Sequence, residues 1–336
     1  MKIFLLCFFI GVSSFATAAS PVFEKLAQFE LEKNKFKKSK IGGLSGAFFL
    51  KDHLYALSDD RGKVNEPRYY VFSVKLSTKN QKLDLEITPT DVIYIKTNSK
   101  PKNNYLDGEG FLALNEKHFL VSSEGDNNSK PRKPPRLVEI DPEGKFLKDW
   151  VFPEEVIPES LGQQKNGIQN NSGFEAISLS ADGRFVVTAV ERSLLQEISS
   201  EENYVRFYQY SVENSTRPLD TYFYNLTGIG VMSGVSEILS WKDKKYFVLE
   251  RGVKPEFTSK IKYMTGLSLI DLDKTETIAQ RKHLKKSRLD IELGEENFEA
   301  MAWGPAWGKY SRTLWIMNDN NFSKNEKNIF LVYGVN

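Results

Sequence analysis

Cysteine is almost absent from this 336-residue chain: the single residue, Cys7, lies in an apolar N-terminal run. With that run removed no disulfide can form, which in an exported chain of this size fits a bacterial periplasmic or secreted product better than a eukaryotic extracellular one. Histidine is nearly as scarce, with three residues. His53 and His118 fall at hairpin turns and His283 in a Lys/Arg-rich segment, so solvated surface positions are the simpler reading. No H-E-x-x-H zinc motif, G-x-S-x-G nucleophile elbow or phosphate-binding P-loop occurs, and a serine triad has no identifiable base. A charge excess is missing too. Lys+Arg at 46 against Asp+Glu at 44 leaves a net charge of +2, which offers no general attraction to nucleic acid or an anionic membrane.

What is present begins with an export signal. Lys2 is its basic start, Ile3 to Val12 an apolar core too short to span a bilayer, and Ala16-Thr17-Ala18 a small-x-small cleavage site. Residues 1–19 therefore read as a signal peptide and 20–336 as one exported domain without a transmembrane anchor. A 40% apolar content with 23 Phe and 14 Tyr is ample for a buried core.

An internal repeat organises that domain. Asp107-Gly108-Glu109-Gly110-Phe111 leads through an apolar segment to a polar turn, and a second apolar segment ends at Ser123-Glu124-Gly125. The pattern returns from Gly43-Leu44-Ser45 to Asp59-Asp60-Arg61, from Gly173-Phe174-Glu175 to Glu191-Arg192, from Gly234 through Glu237 to Glu250-Arg251, and from Asn297-Phe298-Glu299 to Asp319-Asn320-Asn321. Anchors at 45, 109, 175, 237 and 299 give a steady period of 62 to 66 residues. Each copy reads as an antiparallel hairpin with acid at its open end, so that Glu109 should lie opposite Glu124, Glu175 opposite Glu191, and Glu237 opposite Glu250.

Two further strand-like segments follow each hairpin except the last, which is one strand short. Pro21 to Glu32, a strand without a repeat of its own, can fill the vacancy. The result is an all-β fold, a β-propeller of five blades of about four strands (six if an insertion hides one), closed by the N-terminal strand. The inner strands would carry Ser45, Glu109, Glu175, Glu237 and Glu299 to the axis. Two long insertions, Asp126 to Pro135 and Pro153 to Ser172, should rise over the same face. The aromatic stripes Phe207, Tyr208, Tyr210 and Tyr222, Phe223, Tyr224 read as packing between blades, and Trp303 and Trp307 flank a Gly304-Pro305 turn.

Carboxylates about 4 Å apart repel by roughly 4 kcal/mol at an effective dielectric near 20, so a ring of them needs compensation. Arg61, Arg192 and Arg251, directly after three of the hairpin acids, could supply it. The alternative is a hard cation held by Asp59, Asp60, Glu109, Glu124, Glu175, Glu191, Glu237, Glu250, Glu299 and Asp319. Oxygen-only donors suit Ca²⁺ rather than zinc or copper.

With these motifs laid out, the chain resembles the family named for the esterase-like activity of phytase. The resemblance rests on Gly43-Leu44-Ser45-Gly46, Leu57-Ser58-Asp59-Asp60-Arg61, Asp107-Gly108-Glu109-Gly110, Gly173-Phe174-Glu175-Ala176, Leu249-Glu250-Arg251-Gly252 and Asn297-Phe298-Glu299-Ala300. It implies a propeller and hydrolysis of phosphoesters or esters. Similar propeller phytases use clustered calcium ions, held by carboxylates, to bind phosphate and activate water.

Three functions are in play. A Ca²⁺-dependent phosphoesterase, acting as a monomer on a small anionic substrate, would use Glu109, Glu175 and Glu299 with Arg61, Arg192 and Arg251. A non-catalytic exported binding propeller and a metal-dependent lactonase are the alternatives.

Overall fold

The computed structural model describes residues 20–97, 105–198, 203–226, 229–256 and 261–336. The expected signal peptide lies outside these residues. Among them the regular structure is β throughout, apart from single 3₁₀ turns at Glu154–Val156 and Leu195–Glu197. Among the described residues no helix is long and apolar enough to cross a membrane.

The repeat becomes a succession of antiparallel sheets. β4 (Leu44–Leu50), β5 (His53–Ser58), β6 (Arg68–Lys79) and β7 (Lys82–Tyr94) form the first, and β8 (Gly108–Asn115), β9 (His118–Ser123), β10 (Arg136–Ile140) and β11 (Phe146–Trp150) the second. The third repeat supplies β12 (Phe174–Leu179), β13 (Phe185–Val190), β14 (Tyr204–Ser211) and β15 (Asp220–Asn225). The fourth supplies β16 (Val231–Lys242), β17 (Lys245–Val253), β18 (Tyr263–Ile278) and β19 (Arg281–Arg288). These two sheets are not separate, as the repeat alone suggests. Their outer strands β15 and β19 pair in parallel, with Phe223 opposite His283, making one eight-stranded sheet. The pairing satisfies two edges that would otherwise present unpaired backbone groups.

The last sheet joins the two ends of the chain. β20 (Phe298–Gly304), β21 (Thr313–Asn318) and β22 (Asn328–Val335) take β1 (Phe23–Leu31) as the fourth strand, antiparallel to β22. A two-stranded ribbon, β2 (Lys35–Phe36) with β3 (Ser39–Lys40), links β1 to the first sheet.

The first strands of the five repeats touch one another in a closed circuit: β4 meets β8, β8 meets β12, β12 meets β16, β16 meets β20, and β20 returns to β4. Large side chains fill the spaces between sheets. Phe48, Tyr69, Phe111 and Phe119 pack between the first and second, and Tyr70, Phe72, Trp315 and Phe330 between the first and last. Phe207, Tyr208, Tyr210, Tyr222 and Tyr224 sit in the third core, as the aromatic stripes suggest. His283 departs from its expected surface role, stacking on Phe223 and edge-on to Tyr204, while His118 binds Glu139 at 2.6 Å.

Every inner strand carries a β-bulge, near its start in four of them and at the sixth residue in β16. Ladder pairing skips Ser45 in β4, Glu109 and Gly110 in β8, Glu175 in β12, Ser236 in β16 and Glu299 in β20. A bulge leaves its residue outside the ladder and re-aims the side chain. It also crowds neighbouring backbones, so glycine follows in two copies: a Cβ on Gly46 would lie 2.4 Å from the Glu109 carbonyl, and one on Gly110 would lie 2.3 Å from Ile177 Cγ2. Gly110→Ala should therefore destabilise the fold by about 1–3 kcal/mol through overpacking. Urea denaturation measures this, and an unchanged midpoint would show that the inner strands can move apart freely.

Candidate metal centre

The bulges and strand ends of the inner hairpins converge on one cavity of about 440 Å³. Asp59, Glu109, Glu175, Glu299 and Asp319 line it, with Asp60, Arg61, Lys63, Asn171, Arg251, Tyr263 and Asn297. The backbone repeats the same geometry in four units. The amide of the acid after the second strand donates to the carbonyl two residues before the bulge: Asp59 to Gly43, Glu124 to Asp107, Glu191 to Gly173 and Asp319 to Asn297, over 2.6–3.1 Å.

The fourth repeat runs one residue out of the sequence register. Its bulge is Ser236 and not Glu237, and Gly234 lies opposite Arg251 while Val235 lies opposite Glu250. A one-residue shift turns each side chain to the other face of the sheet. Glu237 therefore leaves the acidic group, and its carboxylate accepts from the amides of Ile177 and Ile238. Glu250 is carried into the sheet, where Tyr224, Ser268, Lys286 and Arg288 bind it. Arg251 takes the place that Asp59, Glu124, Glu191 and Asp319 hold in the other units, and reaches Glu299 at 3.0 Å and Glu191 at 3.5 Å. Ser45 and Ser236, at the two bulges without acid, instead tie adjacent inner strands by donating to the carbonyls of Gly108 and Phe298.

Bulging also alters the expected pairs. Glu109 and Glu175 stand outside the ladder and do not face Glu124 and Glu191 as ladder partners. Two tight groups form instead. Asp59, Asp107 and Glu109 bring ligand oxygens within 4.8 Å of one another, and so do Glu109, Glu124 and Glu175. Glu109 belongs to both. Asp107 was not among the candidate ligands, although it lies two residues before Glu109, the spacing that places strand side chains on one face. Asp60 reaches the cavity wall, but its carboxylate is engaged by Arg68 at 2.7 Å and by the amides of Lys63, Val64 and Asn65.

The long insertions meet at this end. Arg132 of the first donates to the Glu159 and Gly162 carbonyls of the second, and Asn127 to the Ile168 carbonyl. Asn171, at the end of the second insertion, accepts from Arg61.

Electrostatic compensation by arginine is incomplete. Arg61 pairs with Asp107 at 2.7 Å and Glu124 at 3.3 Å, and Arg192 with Glu191 at 3.5 Å. Among the described residues, Asp59, Glu109, Glu175 and Asp319 have no ion pair shown. Burial, then the neighbouring acids, pushes Asp59, Glu109 and Glu175 well above the usual carboxylate range. The same causes raise Glu124 to about 7 and Asp319 to about 8. Burial raises Asp107 and Glu299 as well, against the pull of Arg61 and Arg251.

The donor set fits a hard cation. All candidate ligand atoms are oxygens, and buried Asp107 Oδ1, Glu191 Oε2 and Asn297 Oδ1 have no hydrogen-bond partner. Polar atoms so placed are costly unless a ligand or ion satisfies them.

A family model described as phytase-like, esterase-like activity of phytase, matches residues 39–322. The chain belongs to this family. No curated protein matches this phytase-like chain. Among solved structures it is similar to the Bacteroides ovatus xyloglucan-locus GH43B at 9% identity and TM-score 0.48, covering 91% of this chain and 54% of that one. It is also similar to a Cellvibrio cellulosa α-L-arabinanase mutant (11%, TM-score 0.44, 88% and 92% covered) and to Penicillium chrysogenum α-L-arabinanase complexed with arabinobiose (8%, TM-score 0.44, 84% and 78% covered). The phytase-like chain thus spans about half the length of the Bacteroides protein.

Carboxyls held above their unfolded pKa keep protons in the folded chain that the unfolded chain releases. As pH rises from about 4, the unfolded state ionises first, and stability is lost progressively until the folded groups ionise, at about 8 for Asp319. In chelator the melting temperature should fall from about pH 5 to pH 8. With Ca²⁺ the acids would be held ionised, so the calcium-dependent gain should widen with pH. Calorimetry checks this; superimposable melts with and without calcium at about pH 8 would remove the metal from the site.

Proposed function

We propose that the phytase-like chain is an exported, Ca²⁺-dependent phosphoester hydrolase built on a five-bladed propeller, with its reaction at the acidic end of the axis. The observation that carries this reading is the sharing of Glu109 between two three-carboxylate groups, of which Asp59, Glu109 and Glu175 stand in the wall of a cavity that also holds guanidinium groups. Five four-strand units and the closed circuit of inner strands support the blade count.

Asp59, Asp107 and Glu109 would hold one cation, and Glu109, Glu124 and Glu175 a second. When bound, Ca²⁺ supplies positive charge that offsets the carboxylates, attracts phosphoryl oxygens and acidifies water. The remaining roles fall to the chain itself. Arg251 and Arg61 present guanidinium groups to the cavity, and buried Arg251 Nε has no acceptor. That free donor suits an anionic oxygen, which guanidinium binds through charge-assisted hydrogen bonds. Arg192, tied to Glu191 and to the Met232 carbonyl, would hold Glu191 in place while its own Nε is likewise unpartnered.

Glu299 and Asp319 line the cavity outside both three-carboxylate groups. Asp319, raised to about 8, is poised to exchange a proton near neutral pH and would act as the base toward water. Asn297 donates to Glu299 Oε1 at 2.9 Å and Arg251 reaches the same oxygen at 3.0 Å, which would fix that carboxylate near Asp319.

Purified residues 20–336 should hydrolyse p-nitrophenyl phosphate or phytate in a chelator-sensitive manner. Asp319→Asn should lower kcat by about 10²–10⁴ while retaining calcium binding, whereas Glu109→Gln should weaken calcium binding itself, measured by titration calorimetry. Calcium binding without turnover of either phosphoester would favour a binding propeller, and turnover of a lactone alone would favour a lactonase.

A further inference from the structure

A second cavity, of about 260 Å³, lies farther along the axis, with residues from all five inner strands in its wall. Phe49, Leu112, Leu179, Leu239 and Trp303 contribute. Each stands three or four residues beyond the bulge of its strand, roughly 10–13 Å from the acidic end at about 3.3 Å per residue. Three polar side chains interrupt this apolar lining: Ser178, whose Oγ accepts from the Ser240 amide at 2.8 Å, Arg312 and Ser240. Arg312 has its guanidinium carbon 3.7 Å from the Trp303 ring centre and donates to the Trp241 carbonyl. No ion pair to it is found among the described residues, and burial lowers its pKa without an opposing carboxylate. Ser240, whose carbonyl accepts from the Trp303 indole at 2.6 Å, is 6% exposed, and its buried Oγ has no hydrogen-bond partner.

We propose that this cavity binds a small carboxylate with an unbranched apolar tail. The carboxylate would pair with Arg312 and accept from Ser240 Oγ, while the tail would replace water against the Phe and Leu side chains. A half-buried guanidinium without a counter-ion selects the anion, and an orphaned hydroxyl beside it offers the second hydrogen bond. The apolar wall disfavours polyanions, which would bring unpaired charge into it. Nothing in this site depends on the acidic cavity or on the hydrolase reading.

Titration calorimetry of residues 20–336 with sodium octanoate, octan-1-ol and octylammonium chloride tests the assignment. Octanoate should bind at one site, more tightly than the alcohol, and the ammonium should not bind. Arg312→Gln should weaken octanoate at least about tenfold, and Arg312→Lys should restore part of the loss. Ala181→Trp, at an exposed position on the cavity rim, should block entry with melting temperature unchanged. Calcium affinity should be the same in all three variants. The proposal fails if wild-type protein gives no octanoate binding at millimolar concentration, if octylammonium binds as well as octanoate, or if affinity survives both Arg312→Gln and Ala181→Trp.

Discussion

Repulsion among buried carboxylates at the axis is the constraint around which the rest is arranged. Three guanidinium groups, Arg61, Arg192 and Arg251, face eight acids: Asp59, Asp107, Glu109, Glu124, Glu175, Glu191, Glu299 and Asp319. Repulsion at such distances, roughly 4 kcal/mol for a pair at 4 Å and an effective dielectric of 20, is large beside a domain stability of about 5–15 kcal/mol. Protons or cations must make up the difference. Raised carboxyl pKa values are the signature of the first solution, and the unpartnered acceptors leave room for the second.

The fold concentrates these charges through a modest device. A bulge in each inner strand turns one residue, or two in β8, out of the ladder, and the closed circuit of strands brings all five bulges to one end. Serine occupies two of them and glutamate three. Where serine stands, its hydroxyl ties the next inner strand; where glutamate stands, its carboxylate faces the cavity. Strand residues beyond the bulges then line a second space, walled by aromatic and aliphatic side chains with Ser178, Ser240 and Arg312 among them, so a single set of strands contributes to two chemically different cavities.

Much of this was legible in the chain. The steady repeat, the missing last strand and the spare one at Pro21 to Glu32 foreshadow the pairing of β1 with β22. Glu109, Glu175, Glu299 and Asp319 are recognisable because each recurs at the edge of an apolar segment. The family motifs point to the same hairpins. Glu237 and Glu250 were misread for a specific reason: in the fourth repeat, Ser236-Glu237 and Glu250-Arg251 each offer two candidate positions one residue apart. Period-two side-chain direction makes that single residue decisive. Asp107 was overlooked because the bulge at Glu109 and Gly110 moves it, and not Glu109, opposite Glu124.

Composition, spacing and apolar pattern were sufficient to determine an all-β chain of repeated hairpins with acids at one end, because strand alternation and turn chemistry are local. They could not determine which carboxylates share an ion site, that Arg251 stands in the ring in place of an acid, or that β15 and β19 join two sheets. Those outcomes depend on bulge position and on contacts between residues far apart in the chain. Only closure of the inner strands into a circuit places Asp59 beside Asp107, or Arg251 between Glu191 and Glu299.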